Sequence, residues 1–319
     1  MFFNTWNQKK RWMCRFVYAI IAGVMMLAGF YQGAFAEAKQ KSFKSPEEAV
    51  RALVTAAKRN DTKELLAIFG PAGKELISSG DEVADKAWRD HFVKAYEEMN
   101  KLVSENETKI ILHVGNGDWP YPIPVVERGE NWLFDTKAGK EEILNRRIGR
   151  NELNAIQVCL AYVDAQREYV MEDRDQTKLL KYAQRFISRE GEKDGLYWEA
   201  KEGEEPSPLG PLIAKAAVEG YTGKRPIGKR SPYHGYYYRI LKAQGKNARG
   251  GEYDYVVDGK MIGGFALVAY PAEYGDSGIM TFIVNQDGVV YEKDLGRDTE
   301  KIAVAMKKFD PDKTWKKVE

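Results

Sequence analysis

Histidine and cysteine are the scarce residues: His91, His113 and His234, with Cys14 and Cys159, are all that 319 residues contain. Three scattered histidines without a cysteine pair do not give the HxxxH or CxxC spacing of a metal site, so no bound metal is expected. Cys14 falls in what reads as a leader. Cys159 then stands alone, which excludes an intramolecular disulfide in the remainder of the chain. It lies in an apolar helical pattern with Ile156, Leu160 and Val163, the setting of a buried structural thiol. An excess of charge of one sign is also missing, with 49 basic against 47 acidic residues, so there is no electrostatic footing for nucleic acid. No nucleophile elbow, P-loop or dinucleotide fingerprint occurs. The Gly250-Gly251 and Gly263-Gly264 pairs lack the strand-turn-helix setting such motifs require, and no catalytic residue or cofactor is expected from them.

What is present begins with the leader. Lys9, Lys10, Arg11 and Arg15 precede the apolar run at 16–30, and Ala34-Phe35-Ala36 is a small-x-small cleavage site ahead of Glu37. The run falls short of the roughly 20 residues that a bilayer-spanning helix needs. A cleaved export signal over 1–36 is therefore expected, with the rest of the chain in the periplasm or cell envelope; contact with the membrane would come only through an uncleaved leader. Loss of those four cations takes the formal charge from +2 to −2.

With 44% hydrophobic and 30% charged residues the chain reads as ordinary globular protein, long enough for two domains, placed at 37–139 and 140–319. Ser45-Pro46-Glu47-Glu48 opens a first helix, 62–69 forms a second that Gly70-Pro71 breaks, and 83–102 a third. Strands follow at 109–114, 123–127 and 131–135. Residues 140–170 are helical again, in two segments separated near Gly149, and an irregular stretch then contains one helix at 209–219. The strand at 236–244 leads to the clearest local structure, a three-stranded meander. Its runs at 265–270 and 279–284 are apolar and β-favouring, and Asn285-Gln286-Asp287-Gly288 turns the chain into the third at 289–292. A helix at 298–309 closes the chain. The fold class expected is α+β.

Several stretches resemble known families. SPEEAVRALVTAAKRNDTKELLAIFG, followed by a third helix and a curved sheet, looks like the opening of cone-shaped domains similar to nuclear transport factor 2, and implies a helix-and-antiparallel-sheet cone. NELNAIQVCLAYVDAQREY and the meander, in that order, resemble the globular part of type IV pilins, which implies a long helix plus antiparallel β-meander in the C-terminal half; the pilin's apolar first helix-half and prepilin cleavage site are absent ahead of Asn151. The whole of 44–315 looks like an uncharacterised family of exported bacterial proteins, domain of unknown function 2950. SSGDEVAD, DWPYPIP, NWLFDTKAG, RRIGRNEL, DGLYW, SPLGPL and HGYYYRIL carry that resemblance. It implies an envelope location and brings no catalytic residue with it.

The most ligand-like stretch is Asp118-Trp119-Pro120-Tyr121-Pro122, in which an acid, two aromatics and rigid prolines offer a pre-ordered stacking surface for sugar or peptide. Its bland counterpart is a tryptophan that plugs one end of a core. His113, just ahead of this loop, is placed to pair with Asp118 at a cone mouth. Arg146, Arg147 and Arg150 beside Glu152 fit a grip on a carboxylate or phosphate, or, as the position between two domains favours, salt bridges at their junction. Alternation along 236–238 sends Tyr236 and Tyr238 to one face and Tyr237 to the other, one of which is core and the other a partner surface. The ligand or partner surface expected is thus Asp118, Trp119, Tyr121, His113 and Tyr237. The leading function is a non-catalytic binding or assembly module for an envelope protein or cell-wall component. The alternatives are a periplasmic hydrolase-like enzyme using His113 and Asp118 in the cone pocket, and a pilin-related structural subunit.

Overall fold

In the computed structural model, which describes residues 40–174, 178–201, 203–221 and 231–319, helices come first, then a sheet, one long helix, an irregular stretch and a second sheet. The class is α+β, as the order of elements predicts. The leader read at 1–36 lies outside the described residues. Helix α1 (Pro46–Lys58) starts where local chemistry dictates: extended Ser45 accepts the Glu48 amide at 3.2 Å while the Glu48 carboxylate reaches back to the Lys44 amide at 2.9 Å. Asp61 caps α2 (Thr62–Phe69) in the same way, accepting the Glu64 amide at 3.0 Å. A short turn and α3 (Lys74–Ile77) lead to α4 (Glu82–Glu98), capped by Asp81.

Helix α4 ends at Glu98 rather than at 102. The chain instead enters β1 (Asn100–Asn106), a strand that the sequence reading ran into the helix because Leu102 continues its apolar spacing. β1 pairs antiparallel with β2 (Lys109–Val114), which also holds the two-residue β3 (Trp119–Pro120). With β4 (Val125–Arg128) and β5 (Asn131–Phe134) the path through this sheet is β1-β2-β4-β5.

Helix α5 (Thr136–Val170) is continuous over 35 residues, so the break expected near Gly149 does not occur. A helical glycine costs about 1 kcal/mol relative to alanine, too little to interrupt a helix anchored at both ends. The boundary expected at 139/140 falls inside α5. One hydrophobic cluster contains Ile143 together with α1–α3 and the first sheet; the other contains Cys159, Tyr162 and Val163 together with the second sheet. Residues 40–319 form one compact unit. Gly139 is required where it stands, since a Cβ there would lie 2.3 Å from the Pro122 carbonyl oxygen, and its absence lets α5 settle on that loop.

After α6 (Gly210–Val218) come β6 (Tyr236–Leu241), β7 (Ala243–Gln244), β8 (Tyr253–Asp254), β9 (Val256–Val257), β10 (Lys260–Met261), β11 (Ala266–Pro271), β12 (Met280–Asn285) and β13 (Tyr291–Asp294). The chain ends with α7 (Thr299–Ala305), β14 (Lys308–Phe309) and β15 (Lys316–Lys317). The second sheet runs β15-β13-β12-β11-β6, antiparallel throughout, with small pairings β14-β7-β8 and β9-β10 beside it. Both α5 and α7 pack on β11, all six residues of which are buried. A strand covered on both faces needs a continuous apolar run, which is why the sequence there does not alternate.

Gln166 fastens the irregular stretch to α5. Fully buried, it accepts the Ala183 amide at 2.9 Å and donates to the Ala183 carbonyl at 2.8 Å and to the Tyr162 hydroxyl at 3.0 Å. Replacing Gln166 with Ala leaves both backbone groups of Ala183 buried and unpaired, and is expected to lower stability by roughly 2–4 kcal/mol in urea denaturation. A loss below about 1 kcal/mol would show that water repairs the gap.

Two cavities sharing an arginine and tryptophan wall

Only Asp85 is fully buried among the 17 residues of α4. Its aromatic side chains Trp88 and Phe92 are half-buried, each bordering open space on part of its surface. That space is a cavity of about 770 Å³ with Ile143, Arg146, Gly149 and Arg150 of α5 as its opposite wall, and with Trp119 and Tyr121 also lining it. The lining is predominantly apolar, and the volume falls in the ~300–1,000 Å³ range of small-molecule sites. A second cavity, of about 560 Å³, is more polar at one end, where Asn151, Asn154, Glu219, Tyr221 and His234 line it. Trp88, His91 and Arg150 line both and so form the wall between them.

Stacking orders this wall. The His91 ring lies parallel to Trp88 with centroids 5.9 Å apart, and the Arg150 guanidinium sits 4.3 Å from a Trp88 ring. Arg146 covers Trp119 at 4.9 Å, Trp119 meets Tyr121 edge-on at 6.2 Å, and Tyr121 meets Phe92 at 5.1 Å. Below, the Asp85 carboxylate accepts from the Ser79 amide at 2.9 Å and hydroxyl at 2.7 Å. Burial outweighs those bonds and the arginines nearby, so the Asp85 carboxyl is raised above the usual range. Arg147 donates to the carbonyls of Glu75 and Leu76, each at 2.6 Å, and burial pushes its guanidinium downward.

Asp81 fixes the polar end of the second cavity. Its Oδ1 accepts the Ala84 amide at 3.1 Å as the cap of α4, while Oδ2 accepts the Gly235 amide at 2.8 Å and the Tyr221 hydroxyl at 2.9 Å. The chain bends there with His234 at φ +52° and Gly235 at φ +74°. His234 Nε2 lies 3.3 Å from a Glu219 carboxylate oxygen, and the Tyr233 hydroxyl reaches the same oxygen at 3.4 Å. Burial lowers the His234 imidazole below its usual value, against the opposing pull of Glu219 and Asp81.

The expected site residues separate into three groups. Trp119 and Tyr121 line the first cavity, as a ligand-facing loop requires. His113 and Asp118 do pair, with Nδ1 3.0 Å from Oδ1, but Lys101 Nζ holds the same carboxylate at 2.8 Å and the group sits at the exposed β2–β3 hairpin; neither side chain lines a cavity. The Lys101 hydrogen bond, then that of His113, keeps the Asp118 carboxyl below the usual range. Tyr237 belongs to the other sheet, half-buried against Tyr270 at 5.7 Å and away from both cavities. In place of the salt bridges expected of Arg146, Arg147 and Arg150 at a domain junction, these residues and Glu152 have separate tasks. Arg146 pairs with Glu142 one turn back, Arg147 holds carbonyls, and Glu152 accepts the Ile279 and Met280 amides at 3.0 and 2.9 Å. Trp88, His91, Glu219, Tyr221 and His234 were not read as a site. Trp88, His91 and Phe92 fall at i, i+3 and i+4 on α4, and Arg146 and Arg150 at i and i+4 on α5, so each set shares a helix face legible from spacing alone.

Neither cavity is lined by serine, threonine, cysteine or lysine among the described residues; the titratable groups besides arginine are Asp85, His91, Glu98 and Tyr121 in the first and His91, Glu219, Tyr221 and His234 in the second. Cys159 is buried in the second cluster, where loss of hydration pushes its thiol up to about 12. Among the described residues no group of three or more His, Cys, Asp or Glu could hold a metal ion, and no helix is long and apolar enough to cross a membrane.

A family model described as a protein of unknown function (DUF2950) matches residues 40–318. No curated protein and no solved structure matches the chain, so the likenesses to nuclear transport factor 2-like domains and to pilins rest on the quoted segments alone. Four segments that carry the family resemblance, SSGDEVAD, DWPYPIP, RRIGRNEL and HGYYYRIL, meet around the two cavities.

The lowered His234 pKa sets a pH dependence. The unfolded chain, with histidine near ~6.5, takes up the proton first, so stability is complete above that value and is lost as pH falls from it through the depressed folded value. Asparagine tolerates the positive φ and does not titrate. Wild-type protein is therefore expected to lose stability relative to His234→Asn between about pH 7 and about pH 5, by at most ~1.4 kcal/mol per pH unit. Urea denaturation of both proteins across that range checks it, and a difference independent of pH would remove His234 as the cause.

Proposed function

Because the chain belongs to the DUF2950 family, whose description states no activity, we propose from its geometry that it is a non-catalytic binding module of the bacterial envelope. The cavity between α4 and α5 is its ligand site. One observation carries this reading: about 770 Å³ of space lined mainly by aromatic and aliphatic side chains, with Arg146 and Arg150 stacked on two tryptophans. A filled core would have closed it, because apolar side chains bordering empty space forfeit dispersion contacts and burial. The hydrolase reading loses its motive, since His113 and Asp118 spend their polar atoms on each other and on Lys101 outside the cavity.

Export rests on the basic leader and the Ala34-Phe35-Ala36 site. Protein recovered from the envelope fraction of an expressing bacterium is expected to give an N-terminal sequence starting at Glu37; a chain starting at Met1 in the cytosol would refute export.

Gly149 supplies the direct test of the site. A Cβ built there meets nothing within 4 Å, so a large side chain grows into the cavity without disturbing the backbone. The neutral apolar dye N-phenyl-1-naphthylamine is expected to bind wild type and Gly149→Ala, with the alanine variant more stable by up to ~1 kcal/mol. Gly149→Phe should keep its circular dichroism spectrum and bind the dye at least about tenfold more weakly. Undiminished binding by Gly149→Phe, or none by wild type, would dismiss the cavity as the site.

A further inference from the structure

Three arginines line the first cavity, Arg89, Arg146 and Arg150, and Arg147 stands beside them on α5; all but Arg150 are committed. Arg89 donates to Asn60 Oδ1 at 2.6 Å and the Ile77 carbonyl at 3.0 Å, Arg146 to Glu142 at 2.6 Å, and Arg147 to the carbonyls of Glu75 and Leu76. Arg150 differs. Among the described residues its guanidinium makes neither an ion pair nor a hydrogen bond, and it lies on the face of Trp88. It nonetheless stands in the wall shared by both cavities, surrounded closely enough that loss of hydration alone lowers its pKa, with no carboxylate near enough to oppose the shift. Arg150 is exposed as a residue, so its five donors, which no acceptor of the protein engages, are open to an anion.

The sign of the ligand follows from the aromatic rings as well. Uncovered tryptophan faces would suit a cationic head, but those of Trp88 and Trp119 already carry Arg150 and Arg146, so a second cation would meet repulsion. The carboxylates in the lining do not answer Arg150: Asp85 accepts from Ser79, Glu219 is held by His234 and Tyr233, and the exposed Glu98 makes no ion pair or hydrogen bond with it. Apolar walls on one side of Arg150 and polar ones on the other divide the space into a place for a tail and a place for a head.

Resting on the binding-module reading above, we propose that the ligand is a single-chain amphiphile with one anionic group: its tail occupies the cavity between α4 and α5, and its anion is bound by Arg150. A fatty acid and a phosphate monoester of a long-chain alcohol share this chemistry.

Displacement of N-phenyl-1-naphthylamine from the whole protein by probes with one tail and different heads tests the proposal. Laurate, dodecyl phosphate, or both, are expected to displace the dye at about tenfold lower concentration than dodecanol and dodecyltrimethylammonium. Whichever anion is stronger identifies carboxylate or phosphate as the preferred head, and either result supports the assignment. Arg150→Gln, which removes the charge and keeps a shorter polar side chain, is expected to level the series to within about threefold, while Arg150→Lys retains the anion preference. Equal displacement by all four heads would overturn the proposal and leave the binding cavity standing; an anion preference that survives Arg150→Gln would overturn the role of Arg150. Dye binding that no amphiphile displaces would also overturn it, and failure of wild type to bind the dye at all would remove the cavity reading with it.

Discussion

The buried carboxylate of Asp81 is the constraint on which the arrangement depends. At 2% exposure it accepts three hydrogen bonds that belong to three different parts of the chain: the start of α4, the tyrosine following α6, and the turn that enters β6. A carboxylate removed from water costs several kcal/mol unless its oxygens are fully used, so the three donors must come together for the fold to be stable. Arg147 performs the reciprocal task from α5, holding the carbonyls at the end of α3 that would otherwise be orphaned. Helices α4 and α5 are thus positioned by polar anchors near their neighbouring ends, not by packing against each other along their length. Separation maintained in this way leaves a cavity where two amphipathic helices would ordinarily close.

Helix α5 carries two environments on one element. Near its start Ile143 joins the first cluster and Arg146, Gly149 and Arg150 border open space; further on, Ala155, Cys159, Tyr162 and Val163 are buried against the second sheet. Gly149 is costly to a helix and stands where a side chain would intrude on the cavity, so the residue that weakens the helix is also the one that widens the site. Burial of the C-terminal part, at roughly 25 cal/mol per Å² of apolar surface, offsets that weakness many times over.

Local chemistry was legible from the sequence. Ser45, the Asn285–Gly288 turn and the unbroken apolar run of β11 each specify their element through contacts a few residues apart or through burial on both faces. Strand β1 was not, because Leu102 satisfies a helical spacing and only the pairing with β2 decides otherwise. Trp119 and Tyr121, read from a rigid aromatic loop, line the cavity, whereas Tyr237, read from alternation along its strand, packs on Tyr270. Composition does not distinguish an aromatic that borders a void from one that fills it. The Asp81–Gly235 bond spans 154 residues, and the meeting of Trp88, Arg150 and His234 depends on it. Spacing within a helix could name the two faces, but not that they would look at each other.

Electrostatic selection at this site must be local. A chain with 49 basic and 47 acidic residues has no long-range field to gather anions, and exposed charges act little beyond a Debye length of ~8 Å in physiological salt. Arg150, although exposed as a residue, differs in lying against Trp88 at the edge of both cavities. Trp88 shields one face of its guanidinium and the surrounding walls thin its hydration, so an anion reaching it trades less water for a stronger attraction than it would on the open surface. The same walls make a poor site for a small hydrated anion, which would surrender its own hydration for a single contact. A tail that fills the apolar side supplies the free energy such an ion lacks, and the two halves of the site therefore select together what neither would hold alone.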